Sequence, residues 1–308
     1  MASSPLSILS LTILSLVLLP RLGSSKFVDL SSLPLKYHGG PLLTGNLKLA
    51  ILWYGNFGRV HKQTITTFVK SLNSVAVPTE PSVATWWRTI ESYQPTSKGD
   101  VSPKINVQIV KKITDKNYSI GKIITQDFIQ KLVQLATGGD KSLLPVIFTA
   151  KDVSVVGLCM GKCSEHGTVG AGKLSQSYII VGNPEIECPG TCAWPFQAAA
   201  QGPKMMPLPP PSGNVGADSM VLGFASALAG VVTNPYNTGY FLGPPAAPLE
   251  AVTACPGKFG SGALPGYMGK VRIDPADGGA FNAHGIRNKK FLLPAVWNPK
   301  TASCWTLL

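Results

Sequence analysis

The sequence predicts a single α/β domain in which a mixed sheet is flanked by helices, followed by a loop-rich C-terminal β part held by disulfides. Two observations predict this class. Short apolar stretches typical of buried strands alternate with segments of helical periodicity. The later part of the chain is rich in glycine and proline and contains two of the six cysteines. The length is sufficient for one substantial core.

The N-terminus has the pattern of a secretory signal peptide. An apolar run from Leu6 to Leu19 is broken at Pro20 and followed by the small residues Gly23, Ser24 and Ser25. This run is shorter than the roughly 20 residues that span a bilayer. We therefore expect residues 1–25 to be removed, leaving a secreted domain over residues 26–308 with no membrane span.

The first strand and the first two helices follow directly from periodicity. Leu47 to Tyr54 is an apolar run typical of a buried strand, and Pro81 and Ser82 mark the start of a helix. Two sets of apolar residues have the i, i+3, i+4, i+7 spacing of a buried helical stripe. The sets are Ile65, Phe68, Val69 and Leu72, and then Val83, Trp86, Trp87 and Ile90. We expect Trp86 and Trp87 to belong to the core rather than to a sugar-binding surface.

More strands and a third helix follow. Ile105, Val107 and Ile109 alternate with polar residues as in a half-exposed strand, and Thr125 precedes a third helical stripe. That stripe consists of Phe128, Ile129, Leu132 and Val133. Residues 145–150 and 178–181 are predicted to be core strands.

A proline-rich segment over residues 198–213 separates this region from the rest and is predicted to be extended. A helix that is apolar all round follows from Met220 to Val232, begins at Asn214 or Asp218, and ends at Asn234-Pro235. Such a helix is expected at the centre of a fold. Residues 267–273 and 280–283 are predicted to form a hairpin, and residues 291–297 an edge strand, because Pro294 cannot donate a ladder hydrogen bond.

The chain is basic, with a formal net charge of +12. Lysines are concentrated between residues 98 and 131, and Lys104, Lys111, Lys112 and Lys116 are the candidates for binding a polyanion. For a secreted protein the expected partner is an acidic wall polysaccharide such as pectin, and nucleic acid is not expected. The one glycosylation sequon, Asn117-Tyr118-Ser119, lies in the same segment.

The stretch LCMGKCSEHGTVGAGKL, from Leu158 to Leu174, resembles both a metal site and a phosphate-binding loop. Leu174 stands where a phosphate-binding loop has Ser or Thr, so we interpret its glycines as bends of a loop. An even number of cysteines in an exported chain favours disulfides over zinc. The six candidates are Cys159, Cys163, Cys188, Cys192, Cys255 and Cys304. We favour links between the two C-x3-C turns, and a Cys255–Cys304 link.

No hydrolase motif of the G-x-S-x-G or H-E-x-x-H type occurs in the chain. Three of the four histidines precede glycine and are predicted to lie at turns. We therefore predict no catalytic residues, no cofactor and no metal. The alternative is a wall-modifying hydrolase that uses Glu165, His166 or His284.

Several long strings resemble the Exordium or phosphate-induced protein family of plants. They are KYHGGPLLTGNLKLAILWYGNF, PSVATWWRTIESY, GLCMGKCSEHG, CPGTCAWPF, VTNPYNTGYFLGPPAAPLEAVTACPG and FLLPAVWNP. The resemblance extends from Lys36 to Trp305. It implies a protein of the apoplast and cell wall, linked to cell expansion and brassinosteroid-responsive growth. Together with the missing hydrolase motifs, it favours a non-catalytic protein. The family supplies no catalytic residues.

A more distant resemblance is to microbial proteins that have an HELAE-type helix followed by T-D-P. This chain has SALAG at Ser226 to Gly230, followed by Thr233-Asn234-Pro235. Ser226 and Ala227 stand where the first histidine and the glutamate would be, and Gly230 stands in the place of the second histidine. The resemblance implies a zincin-like scaffold with a degenerate metal site, and the alternative of a metalloprotease-like enzyme depends on it.

Overall fold

A five-stranded mixed sheet forms the centre of the fold, with the strand order β3-β2-β5-β8-β7. The computed structural model describes residues 34–74, 79–95, 103–172, 175–202 and 205–308, which belong to one compact unit. The predicted signal peptide lies outside the described residues. Strands β2 (Asn46–Tyr54), β3 (Asn106–Asp115), β5 (Leu144–Thr149) and β8 (Gln176–Gly182) are parallel, whereas β7 (Ser164–Val169) is antiparallel to β8.

One face of the sheet is covered by three helices. They are α1 (Arg59–Leu72), α2 (Val83–Glu91) and α5 (Val215–Thr233). Leu49, Ile51 and Trp53 of β2 pack against them in the larger of the two main core clusters. Both predicted apolar stripes are buried, and the Ser82 side chain accepts a hydrogen bond from the Thr85 amide at the start of α2. These predictions are confirmed.

The other face is covered by α3 (Gln126–Thr137), which follows the short strand β4 (Ile123–Ile124). Leu52 and Tyr54 of β2 point to this side, as the alternation of a strand requires, and pack against Ile129 and Leu132. Strand β4 pairs with β6 (Ser154–Val155) outside the main sheet. The predicted third helix is confirmed, although the Thr125 side chain makes no capping hydrogen bond.

Helix α5 is the central helix, as its composition predicts. It is long and apolar enough to cross a membrane, but 83% of the apolar window is buried inside the protein, as in a core helix. The Asn214 side chain caps its first turn by accepting a hydrogen bond from the Ala217 amide. Asp218 lies inside the helix rather than at its start.

A β-bulge alters the outer strand β3. Leu49 of β2 is paired with Ile109 and Ala50 with Lys111, so Val110 is an extra residue. The residues that face α1 before the bulge are Ile105, Val107 and Ile109. The residues that face α1 after the bulge are Lys112 and Thr114. Lys111 instead donates a hydrogen bond to the Thr137 carbonyl on the α3 side.

The C-terminal part consists of short antiparallel pairs. The short helix α4 (Pro189–Cys192) precedes α5. The pairs are β1 (Lys36–Tyr37) with β9 (Tyr240–Phe241), β10 (Arg272–Ile273) with β11 (Ala280–Phe281), β12 (Ala283–His284) with β13 (Lys290–Phe291), and β14 (Val296–Asn298) with β15 (Ser303–Trp305). The predicted hairpin is present. The predicted strand 291–297 is divided between β13 and β14, with Pro294 in the break.

The prediction of a loop at Gly167 and a turn at His166 is wrong. Ser164 to Val169 form the edge strand β7. Gly167 has a physical role there, because an added methyl group would lie 2.8 Å from the hydroxyl oxygen of Tyr178 on β8. The position of the Tyr178 ring over this residue therefore requires glycine.

Candidate functional site

A cleft of about 540 Å³ lies beside the edge strand β7. Its floor includes Ser226 and Ala227 of α5, and its outer wall is the segment from Pro245 to Glu250. Glu165 and His166, two of the three side chains proposed for a hydrolase, also line it. The structure thus brings together residues that precede and follow α5.

His166 is held by a carboxylate that the sequence did not reveal. Its Nε2 atom lies 2.8 Å from Oε1 and 2.9 Å from Oε2 of Glu250. The Asn234 side chain donates to the same Glu250 Oε1 at 2.7 Å and accepts from the Gly239 amide. Only 8% of the His166 side chain and 11% of the Glu250 side chain are exposed. Their hydrogen bonds orient the imidazole, and its Nδ1 atom has no partner among the described residues.

Gly230 makes room for this pair. A methyl group added to it would lie 2.7 Å from Glu250 Oε2 and 2.8 Å from His166 Nε2. Gly223, two turns earlier, also faces β7, and its carbonyl accepts a hydrogen bond from the Ser164 hydroxyl at 2.7 Å. The glycines of α5 therefore allow the helix to approach β7 closely.

Glu165 lies on the opposite face of β7. Its carboxylate accepts a hydrogen bond from the Tyr178 hydroxyl at 3.0 Å and lies 3.4 Å from the amine of Lys162. Burial, together with the Glu165 charge, raises the pKa of Tyr178, which keeps that hydroxyl protonated as a donor. The Gln126 amide, from the start of α3, is a further donor at 3.4 Å.

The residue types at this site are unsuited to a zinc centre of the helix-borne type. Ser226, Ala227 and Gly230 supply none of the His, carboxylate or Cys ligands that zinc prefers. Among the described residues, three metal-binding side chains meet only at Cys159, Cys188 and Cys192, and each of these belongs to a disulfide.

The six cysteines are paired as the sequence analysis favoured. Cys159–Cys188 and Cys163–Cys192 join the two C-x3-C turns, and Cys255–Cys304 joins the C-terminal segments. The first two disulfides lie next to the start of β7, so they fix the start of this strand relative to α4.

The candidate lysines do not form one surface. Lys112 lines a hollow of about 430 Å³ between α1 and β3 together with Lys70, and Lys104 lines an adjoining hollow of about 200 Å³. Asn73 borders both hollows. Lys111 points to the other face of the sheet. We use the name basic groove for Lys62, Lys70, Lys104, Lys112 and Lys116.

Lys62 and Lys116 extend this groove beyond Lys112. The Lys62 amine donates to the Thr114 hydroxyl at 3.3 Å, and its pKa is lowered by partial burial and by the Lys116 charge. At the Lys104 end, the Glu91 carboxylate accepts a hydrogen bond from the Ile105 amide, and burial raises its pKa. The groove therefore combines several cations with one partly buried acid.

The remaining candidates lie elsewhere. His284 is on β12 beside the start of α2, where burial and the nearby Arg272 and Lys290 lower its pKa. Asn117 is exposed in the turn after β3, and the sequon hydroxyl of Ser119 donates to Asp115. Glu250 and Asn234 are not predicted as site residues from the sequence, where only Asn234-Pro235 has a recognisable role, as the end of α5.

Comparisons with known proteins identify relatives across the whole described region. The family model described as the phosphate-induced protein 1 conserved region matches residues 35–307. Protein EXORDIUM-like 2 of Arabidopsis thaliana is 43% identical over 92% of this chain and 93% of its own length. Protein EXORDIUM of Arabidopsis thaliana is 44% identical over 89% of each chain.

A tobacco relative gives the same result. Protein PHOSPHATE-INDUCED 1 of Nicotiana tabacum is 42% identical over 89% of this chain and 88% of its own length. No solved structure gives a significant match.

Proposed function

Because this chain belongs to the Exordium or phosphate-induced protein 1 family, we propose that it is a secreted protein of the plant apoplast that binds acidic wall polysaccharide through the basic groove. The observation that carries this proposal is the alignment of five lysines along the α1–β3 side of the sheet. The lysines Lys70 and Lys112 lie at its middle, on different elements that border one hollow.

The physical basis is electrostatic. Polygalacturonate is a dense polyanion, and a groove of lysines attracts it without requiring a shaped sugar site. The Debye length falls from about 10 Å at 0.1 M salt to about 3 Å at 1 M, so such binding weakens steeply with salt. A glycan on Asn117, next to Lys116, would lie at one end of the groove and leave its middle open.

The test compares two variants of equal net charge. Lys70, Lys104, Lys112 and Lys116 are replaced by Gln in one variant. The matched control replaces four exposed lysines elsewhere, Lys131, Lys141, Lys270 and Lys300. On immobilised de-esterified pectin, the groove variant should elute at clearly lower salt than the control. If the two variants eluted at the same salt concentration, binding would depend on net charge alone, and this would contradict binding through the basic groove.

In the plant, this binding would place the protein in the wall during cell expansion and brassinosteroid-responsive growth. Loss of the protein and its replacement by the groove variant should then have the same effect on cell length. If the groove variant fully restored cell length in plants that lack the protein, the growth role would not depend on polysaccharide binding.

We further propose a zincin-like scaffold that has lost its metal and serves a non-catalytic protein. The support is the position of Ser226, Ala227 and Gly230 on the helix beneath the cleft, with His166 and Glu250 in the space that a larger residue at position 230 would fill. A tightly bound zinc at one per chain in the purified secreted protein would contradict this.

A hydrolase is the second candidate, because His166 lines the cleft and its imidazole is paired with the Glu250 carboxylate. The measurement is release of new reducing ends from wall polysaccharides or of new amino groups from proteins. Activity that is abolished by His166→Gln would favour the hydrolase over the binding protein.

A further inference from the structure

Strand β7 is an open edge of the sheet. Residues of β8, its only partner in the sheet, are mostly buried, whereas β7 is half-exposed along its length. In an antiparallel pair, alternate residues direct both backbone groups away from the partner strand. Three of the six residues of β7 therefore direct N–H and C=O groups outward, and the described residues provide no backbone partner for them outside β8.

The polar side chains of β7 do not shield this edge. The Ser164 hydroxyl is bonded to α5 and His166 to Glu250, on one face of the sheet. Glu165 is bonded to Tyr178 on the other face. These three side chains are thus drawn away from the edge, and the backbone beside them lies open towards the cleft.

The opposite edge of the same sheet is protected. Strand β3 has the bulge at Val110 and the two lysines Lys111 and Lys112, which are features that prevent pairing with another chain. Strand β7 has no lysine, no proline and no bulge. The contrast indicates that the edge at β7 is available for pairing.

We propose that the cleft binds an extended peptide segment of a partner protein, which adds to β7 as a sixth strand of the sheet. Outward backbone amides and carbonyls of a strand are matched by another peptide backbone. The cleft is lined by small residues, including Ala227 on its floor and Ala246 and Ala247 on its outer wall. This lining leaves room for a bulky apolar side chain at alternate positions of the peptide. The site is separate from the basic groove, which lies at the other edge of the sheet.

A saccharide fits the cleft less well. Among its described lining residues there is no Trp, Tyr or Phe to form a flat platform. Its acidic groups are Glu165 and Glu250, which would also disfavour a polyanion.

The probe is a set of fluorescein-labelled octapeptides in which Thr alternates with Leu, Phe or Tyr, and binding is measured by fluorescence polarisation with the purified secreted protein. We expect saturable binding of at least one of them. Each residue of that peptide is then N-methylated in turn. A period-two pattern is expected, in which methylation at every second residue weakens binding by roughly tenfold or more. No binding at about 100 μM, or an effect without this alternation, would overturn the proposal.

A pair of variants locates the site. Ala247 and Ala276 are both exposed, in the cleft wall and in the β10–β11 turn respectively. Ala247→Trp should fill the cleft and abolish peptide binding, whereas Ala276→Trp should leave it unchanged. Unchanged binding to Ala247→Trp, or displacement of the peptide by oligogalacturonide with the groove lysines already replaced, would contradict peptide binding at β7.

Discussion

His166 and Glu250 are 84 residues apart in the sequence, yet the imidazole Nε2 atom lies within 2.9 Å of both carboxylate oxygens. The pair connects the edge strand β7 with the segment that follows α5. It passes over Gly230, where the helix has no side chain. The position of the cleft wall relative to the sheet edge therefore depends on this contact.

The first prediction concerns Gly230. Gly230→Ala should destabilise the protein by about 2–3 kcal/mol, although alanine favours helices, because the new methyl group displaces a buried His–Glu pair. Urea unfolding followed by tryptophan fluorescence measures the change. Gly58→Ala is the matched control, because a methyl group there would meet nothing closer than 3.6 Å. An equal or smaller loss at Gly230 would contradict the contact.

The second prediction concerns Asp218, whose side chain accepts two hydrogen bonds from Ser212. Burial raises its pKa to about 7 from the ordinary 3.8. Because the folded state holds this proton more tightly, the stabilisation is complete below about pH 4 and is lost as pH rises to about 7. In the wild type, this effect should lower the free energy of unfolding by about 3 kcal/mol across that range, and Asp218→Asn should abolish the decrease.

The control for Asp218 is Asp127→Asn, which changes an exposed aspartate in the first turn of α3. Denaturant unfolding is measured at several pH values for the wild type and both variants. If Asp218→Asn has the same pH profile as the wild type, burial does not control that carboxyl group.

The third prediction concerns the bulge. Deletion of Val110 should be tolerated, costing less than about 2 kcal/mol, because Ile109 and Lys111 already pair with consecutive residues of β2 and keep their faces. Deletion of Gln108, in contrast, moves neighbouring side chains to the wrong faces of the sheet and should prevent stable folding. Thermal unfolding of the two deletion variants measures the difference. If both deletions lowered the Tm by the same amount, the result would contradict the bulge at Val110.

The fourth prediction concerns the cysteines. Alkylation of the folded protein before reduction should label none of the six, because all are paired. Replacing both Cys255 and Cys304 by Ser should cost about 2–5 kcal/mol, since this link closes a loop of 49 residues. Mass spectrometry of the alkylated protein detects any free thiol, and one labelled cysteine would be enough to reject the pairing.

Much of the core was predictable from local pattern. The stripe of Ile65, Phe68, Val69 and Leu72 and the apolar run before Gly55 are buried as periodicity requires. The family resemblance carried by long matching strings is also confirmed. The physical reason is that burial of one face of a helix or strand imposes a short repeat that can be read from neighbouring residues.

The candidate sites depended on contacts that no local repeat encodes. Lys111 and Lys112 are adjacent in the sequence, but the strand directs them to opposite sides of the sheet. The bulge at Val110 determines which of the two lysines points towards α1. His166 was assigned to a turn because glycine follows it, whereas Gly167 is required by the approach of Tyr178 on β8. Glu250 has no sequence signal, because its role arises only when chain segments far apart pack around a glycine of α5. Secondary structure thus follows from short-range patterns, while the cleft and the groove follow from long-range packing.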